Sequence, residues 1–99
     1  MGKRKADAPQ RFESVWDALE STPAEAANMK LRSTLMMALT EHIKAEGWTQ
    51  SEAASRLGVT QPRISDLKRG KIDLFGLDTL VNMLSAAGLE IETRVAKVA

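Results

Sequence analysis

Gln61, Arg63, Ser65 and Asp66 stand close together in a short run that also holds Thr60 and Pro62. Each of the four carries hydrogen-bonding groups suited to a flat heterocyclic edge. Glutamine can bond bidentately to adenine, arginine to guanine, and aspartate can accept from cytosine N4. Serine both donates and accepts. Pro62 is aliphatic and can lie against a thymine methyl group. Just beyond come Lys68, Arg69 and Lys71, cations of the kind that meet phosphate oxygens. This is the chemistry of recognition rather than of bond making. Asp66 is the uncomfortable member, because a carboxylate facing a polyanion is repelled unless it pairs. Two roles stay open for it: acceptor from a base, or salt bridge to Arg63, Arg69 or Lys68 that orients an arginine.

Such side chains need a rigid element behind them, and residues 49–70 supply one. Thr49 and Glu52 have capping-box spacing, T-x-x-E, so each side chain can serve the other's backbone N–H. Trp48 and Ala53 stand where a hydrophobic staple would form. Ala53 and Leu57 share a buried face, and Ala54 marks a close approach of two helices. Gly58 ends the first helix, where a positive φ costs glycine almost nothing. Val59 fills the corner. In the second helix Ile64 and Leu67 form the inward stripe. At about 100° per residue, Pro62, Asp66 and Arg69 then point outward, with Gln61, Arg63, Ser65 and Lys68 on the flanks. Gly70 stops this helix. Pro62 leaves its start open: either Thr60 caps through the Arg63 N–H, or Gln61 is the cap and Pro62 the first helical residue.

This segment resembles the helix-turn-helix of the Xre-type, Cro-like phage repressor family. That pattern asks for a small residue at Ala54, glycine at Gly58, and apolar residues at Ala53, Leu57, Val59, Ile64 and Leu67. All are present. The Thr-Gln pairs at Thr49-Gln50 and Thr60-Gln61 resemble it too. The resemblance implies a reader of double-stranded DNA. Gln61, Pro62, Arg63, Ser65 and Asp66 are then the base-contact candidates. Gln50, Thr60, Lys68, Arg69 and Lys71 are the phosphate candidates, Gln50 helped by the N–H groups of its helix N-terminus.

Composition bounds the alternatives. Ninety-nine residues suggest one domain with a modest core. No run of about 18 apolar residues occurs, so no membrane span is expected. Lys3-Arg4-Lys5 is not followed by an apolar stretch, so no secretory signal is expected. With no cysteine, disulfides and thiolate metal sites are excluded, in keeping with a cytoplasmic, nucleoid-associated protein. An enzyme is not expected. There is one histidine, no tyrosine and no Gly-rich phosphate loop. His42 lacks a second ligand or base at useful spacing and reads as a surface residue. Glu90 and Glu92 share a strand face without a convergent partner. No metal or cofactor is expected.

The net charge is only +1, but it is uneven. Residues 44–71 carry Lys44, Arg56, Arg63, Lys68, Arg69 and Lys71 against Glu46, Glu52 and Asp66, which leaves +3. Residues 72–99 carry Arg94 and Lys97 against Asp73, Asp78, Glu90 and Glu92, which leaves −2. The positive charge therefore sits on the helix-turn-helix, as a footprint on phosphates requires.

Residues 1–10 are polar and read as a disordered arm, and residues 11–99 as the domain. Phe12, Val15, Trp16 and Leu19 follow the spacing of a short amphipathic helix. Thr22-Pro23-Ala24-Glu25 is a second capping box with proline at the first helical position. It opens a long helix ending at Gly47, with Leu31, Leu35, Leu39 and Ile43 facing the core. Met29, Met36 and Met37 read as packing residues; a methionine-rich partner surface is the alternative. Lys71 to Gly76 reads as a loop. A helix follows with Leu77, Leu80, Val81 and Leu84 on one face, closed by Gly88. Residues 89–95 then alternate: Leu89, Ile91, Thr93 and Val95 on one side, Glu90, Glu92 and Arg94 on the other. A lone strand is a template for another chain, so it implies pairing with its own copy or with a different protein.

The order of these elements resembles small Xre-type proteins that include HigA-like antitoxins of type II toxin–antitoxin modules. The likeness spans residues 12–95. Gly76 departs from it, standing where relatives often cap with serine, a change of a few tenths of a kcal/mol. The expectation is an all-α, lambda-repressor-like domain of about five helices with a short C-terminal β-strand. It would act as a homodimeric repressor on a palindromic operator, with a toxin protein as a further partner. A protein-binding module that neutralises a toxin, or a stand-alone phage- or plasmid-type repressor, is the alternative.

Overall fold

The computed structural model describes residues 22–98. The chain divides into two units, Met1–Leu31 and Arg32–Ala99. The described part of the first, residues 22–31, is the cap and opening turns of helix α1 (Pro23–Glu46). There the Thr22 hydroxyl accepts the Glu25 N–H at 3.0 Å, one half of the expected capping box. The expected arm over residues 1–10 and the helix over 12–19 lie outside the described residues.

The second unit holds the rest of α1, then α2 (Gln50–Leu57), α3 (Gln61–Lys68), a 3₁₀ turn (Ile72–Leu74) and α4 (Leu77–Ala86). Leu35, Leu39 and Ile43 of α1 are buried, as the four-residue repeat predicts, and Met36 joins them. Ala53, Ala54 and Leu57 of α2 and Ile64 and Leu67 of α3 complete the scaffold. Leu80, Met83 and Leu84 close it from α4. Three apolar expectations fail. Leu31 and Val81 are 46% and 43% exposed. The core meets α4 on the Met83 side of its stripe, so Val81 turns to solvent. Met37 is also exposed, while Met36 beside it is buried.

The capping box of α2 is complete. The Thr49 hydroxyl accepts the Glu52 N–H at 3.1 Å, and Glu52 Oε1 accepts the Thr49 N–H at 2.9 Å. Trp48, before the cap, is half-buried against the core. Its ring meets His42 edge-on at 5.2 Å and carries the Arg56 guanidinium 4.9 Å above it. His42 is thus partly covered rather than free on the surface. Thr49→Ala is expected to lower stability by about 1 kcal/mol, the usual worth of an N-cap. A urea midpoint equal to wild type would remove the cap from the account.

At the end of α2, Gly58 has φ 72° and donates its N–H to the Ala54 carbonyl. The Val59 N–H reaches the same oxygen at 3.0 Å. A side chain here would meet no neighbouring atom, so only the left-handed backbone selects glycine. The start of α3 is also settled. Thr60 is the cap, extended at φ −87° and ψ 161°, and its hydroxyl accepts the Arg63 N–H at 3.4 Å. Pro62 then lies in the first turn, where its missing N–H has no bond to lose.

Two expectations change at the C-terminal side. The stretch from Lys71 to Gly76 is not a plain loop. It contains the 3₁₀ turn, and Phe75 behind it is 0% exposed. Arg32 of α1, itself buried, donates from Nη1 to the Ile72 carbonyl at 3.2 Å and fastens the turn. Residues 89–98 form no strand, and no strand occurs among the described residues. The last backbone bond among them runs from the Leu89 N–H to the Leu84 carbonyl, at 2.9 Å. The physical reason lies in the ladder: a strand is held by a neighbouring strand, and the described residues offer none. Four α-helices are therefore described.

Candidate nucleic-acid interface

Helix α3 presents its polar side away from Ile64 and Leu67. Gln61 and Pro62 in its first turn are exposed, as are Lys68 and Arg69 at its end and Lys71 beyond. Ser65 is half-buried. Gln50 and Thr60, which open α2 and α3, are exposed as well, although the Thr60 oxygen is already engaged as a cap. A side chain at the helix start and the cations at its end can therefore reach one extended ligand together.

Asp66 is less free than its position on the helical wheel suggests. Its side chain is only 20% exposed, because two arginines clasp it. Arg69 Nη2 lies 3.3 Å from Oδ1, and Arg63 Nη1 lies 3.9 Å from Oδ2. Both are one-turn neighbours on the same helix. In the free chain the carboxylate is thus paired within the protein.

Arg63 is held from three sides. Besides Asp66, its guanidinium sits over the Phe75 ring at 5.5 Å from the centroid. Its Nη1 also donates to the Leu74 carbonyl at 3.5 Å. Its side chain remains 41% exposed. An arginine is otherwise a long flexible chain, and fixing it lowers the entropy lost when it makes a bidentate contact. Leu74 and Phe75 are the neighbours of Arg63 that sequence reading missed. The only available signal was an aromatic residue placed shortly after α3, with no periodicity around it.

Leu89 is half-buried against the core, while Ile91, Thr93 and Val95 are exposed. No three metal-ligating side chains gather among the described residues, and no helix among them is long and apolar enough to cross a membrane.

A family model described as a helix-turn-helix domain matches residues 19–96. No curated protein sequence matches the chain. A solved structure titled "Putative XRE Family Transcriptional Regulator" superimposes with a TM-score of 0.69 at 30% identity. The match covers 75% of this chain and 83% of that one. With a family model over most of its length and a relative at this identity and coverage, the chain belongs to the Xre-type helix-turn-helix domain family.

Proposed function

We propose that this chain is a sequence-specific DNA-binding repressor that acts as a homodimer in the cytoplasm and controls its own operon. The observation that carries this reading is the outer side of α3. There a restrained arginine, Arg63, stands between exposed Gln61 and Pro62 and the exposed cations Lys68, Arg69 and Lys71. In the bound complex α3 lies in the major groove. Gln61, Pro62, Arg63 and Ser65 meet base edges, with Asp66 either beside them or behind Arg63. Gln50, Thr60, Lys68, Arg69 and Lys71 meet phosphates. Two copies read two half-sites about 34 Å apart, one turn of the duplex.

The test is a gel-shift titration on the DNA upstream of the chain's own gene, against a scrambled duplex of equal length. Preference for the upstream DNA by at least about 10³ is expected. Equal affinity for both would overturn sequence-specific repression. Lys71→Ala adds a finer check. It is expected to weaken binding to every sequence and to flatten the slope of log K against log salt by about one unit. An unchanged slope would take Lys71 off the phosphate surface.

The antitoxin role rests on the resemblance of the sequence to HigA-like antitoxins alone. It predicts a neighbouring reading frame for a small basic ribonuclease whose toxicity this chain relieves on co-expression. Growth arrest that persists with both proteins present would leave a stand-alone repressor.

A further inference from the structure

Residues 90–98 are exposed, make no backbone–backbone hydrogen bond among the described residues, and follow Leu89, which packs against the core. Their N–H and C=O groups are therefore open along a segment whose side chains alternate apolar and charged from Leu89 to Val95, with Thr93 at one apolar position. We infer that residues 89–97 pair antiparallel with the same residues of a second copy, in a single register with Thr93 on the two-fold axis. This inference rests on the dimer of the proposed function and fixes its geometry.

The register follows from pairing chemistry. An antiparallel ladder related by a two-fold axis must place one residue opposite its own copy, because directly opposed side chains lie on the same face. Only a few centres keep the alternating segment paired. With Ile91 on the axis, Glu90 faces the partner's Glu92, and that repulsion occurs twice. With Glu92 on the axis, a carboxylate faces its own copy. With Arg94 on the axis, a guanidinium does. With Val95 on the axis no like charges meet, but Glu92 and Arg94 face the partner's Val98 and the partner's Ala96 and no opposite charges pair. Centring on Thr93 removes every like-charge pair and keeps an opposite-charge one. Thr93 then meets the partner's Thr93, a favourable hydroxyl pair, and Ile91 meets the partner's Val95. Glu92 meets the partner's Arg94, and Leu89 lies under the stem of the partner's Lys97. Symmetry repeats each of the last three pairs. The apolar pairs extend the face that begins at Leu89, so the ribbon continues from the core rather than standing alone.

Charge complementarity and apolar matching thus select a second copy as the occupant of this edge. Each exposed Ile91 and Val95, 36% and 97% exposed in the single chain, gains an apolar partner.

The chain has no cysteine, so single cysteines report the register directly. Directly opposite residues have Cα atoms about 4.5–5.5 Å apart, within disulfide reach. A residue off the axis is displaced from its own copy by at least two residues of strand, about 7 Å along the ladder, and falls outside that reach. Sedimentation of the full wild-type chain comes first and must show a dimer; a monomer at all concentrations would end the dimer reading and this register with it. Thr93→Cys, oxidised mildly at concentrations where the chain is dimeric, is expected to give a covalent dimer in high yield. The controls are Ile91→Cys, Glu92→Cys and Val95→Cys, which are expected to stay uncrosslinked. A persistent dimer that crosslinks best through any of the three controls, or through none of the four variants, would overturn the register while leaving dimerisation standing. Charge exchange gives an independent readout. Glu92→Arg is expected to raise the dimer Kd about ten-fold, and adding Arg94→Glu to restore it. No recovery in the double variant would remove the Glu92 pair with the partner's Arg94.

Discussion

Phe75→Ala is expected to destabilise the domain by about 3–5 kcal/mol, the largest single loss predicted for this chain. Phe75 is fully buried and is among the largest side chains in the core. Local collapse cannot fill the space it would leave, because the backbone before it is fixed. Arg32 bonds the Ile72 carbonyl, and the Phe75 N–H itself bonds back to the Ile72 carbonyl at 3.1 Å. The cavity would therefore persist. A small domain has only about 5–15 kcal/mol of total stability, so the variant would approach unfolding near physiological temperature. Chemical denaturation measures this, and a loss below about 1 kcal/mol would show that the site repacks. Phe75→Leu separates the two roles of the ring. It keeps most of the core volume and a folded chain, but removes the aromatic face under Arg63. If that face positions the guanidinium, Phe75→Leu loses DNA discrimination while its stability loss stays modest.

The contrast between Phe75 and the helix-turn-helix shows what a sequence of this kind reveals. Residues 49–70 were legible because each position has a local cause. A capping threonine, a small residue at a helix crossing and a glycine at positive φ act within a few residues of themselves. Thr60 as the cap of α3 needed the structure only to choose between two stated options. Phe75 was illegible because a 3₁₀ turn has no period from which burial can be read. Val81 failed for a related reason: periodicity gives a stripe, but which edge of the stripe meets the core depends on the neighbouring helix. Residues 89–95 carry a clear alternation and yet form no strand here. A ladder needs a neighbouring strand, and the described residues offer none. The candidate site follows the same division. Its residue types were readable from spacing, but the clasp on Asp66 and the seat of Arg63 are tertiary facts.

Arg63→Ala is expected to cost about 1–3 kcal/mol of specific DNA binding and to relax discrimination at one base position. Equal losses on specific and random DNA would count against a base contact. The structure turns Asp66 into the sharper probe. Its exposed ion pairs contribute little to stability, of order 0–1 kcal/mol, so Asp66→Ala should fold normally. Removing a carboxylate from a surface facing phosphates should also raise non-specific affinity. The two roles of Asp66 then predict different patterns. As a positioning residue it acts through Arg63, so Asp66→Ala relaxes the same base position as Arg63→Ala. The double variant would then be little worse than Arg63→Ala alone, with a coupling of about 0.5–3 kcal/mol in the double-mutant cycle. As a direct acceptor from cytosine it would relax a different position, and the two losses would add. The 3.3 Å and 3.9 Å contacts to Arg69 and Arg63 favour the first pattern. Arg63→Lys completes the argument, since lysine keeps the charge but loses the planar fork. It should retain phosphate-driven affinity and still lose the base preference. If lysine preserved that preference, Arg63 would be acting as a point charge, and its seat on Phe75 and Asp66 would serve stability rather than reading.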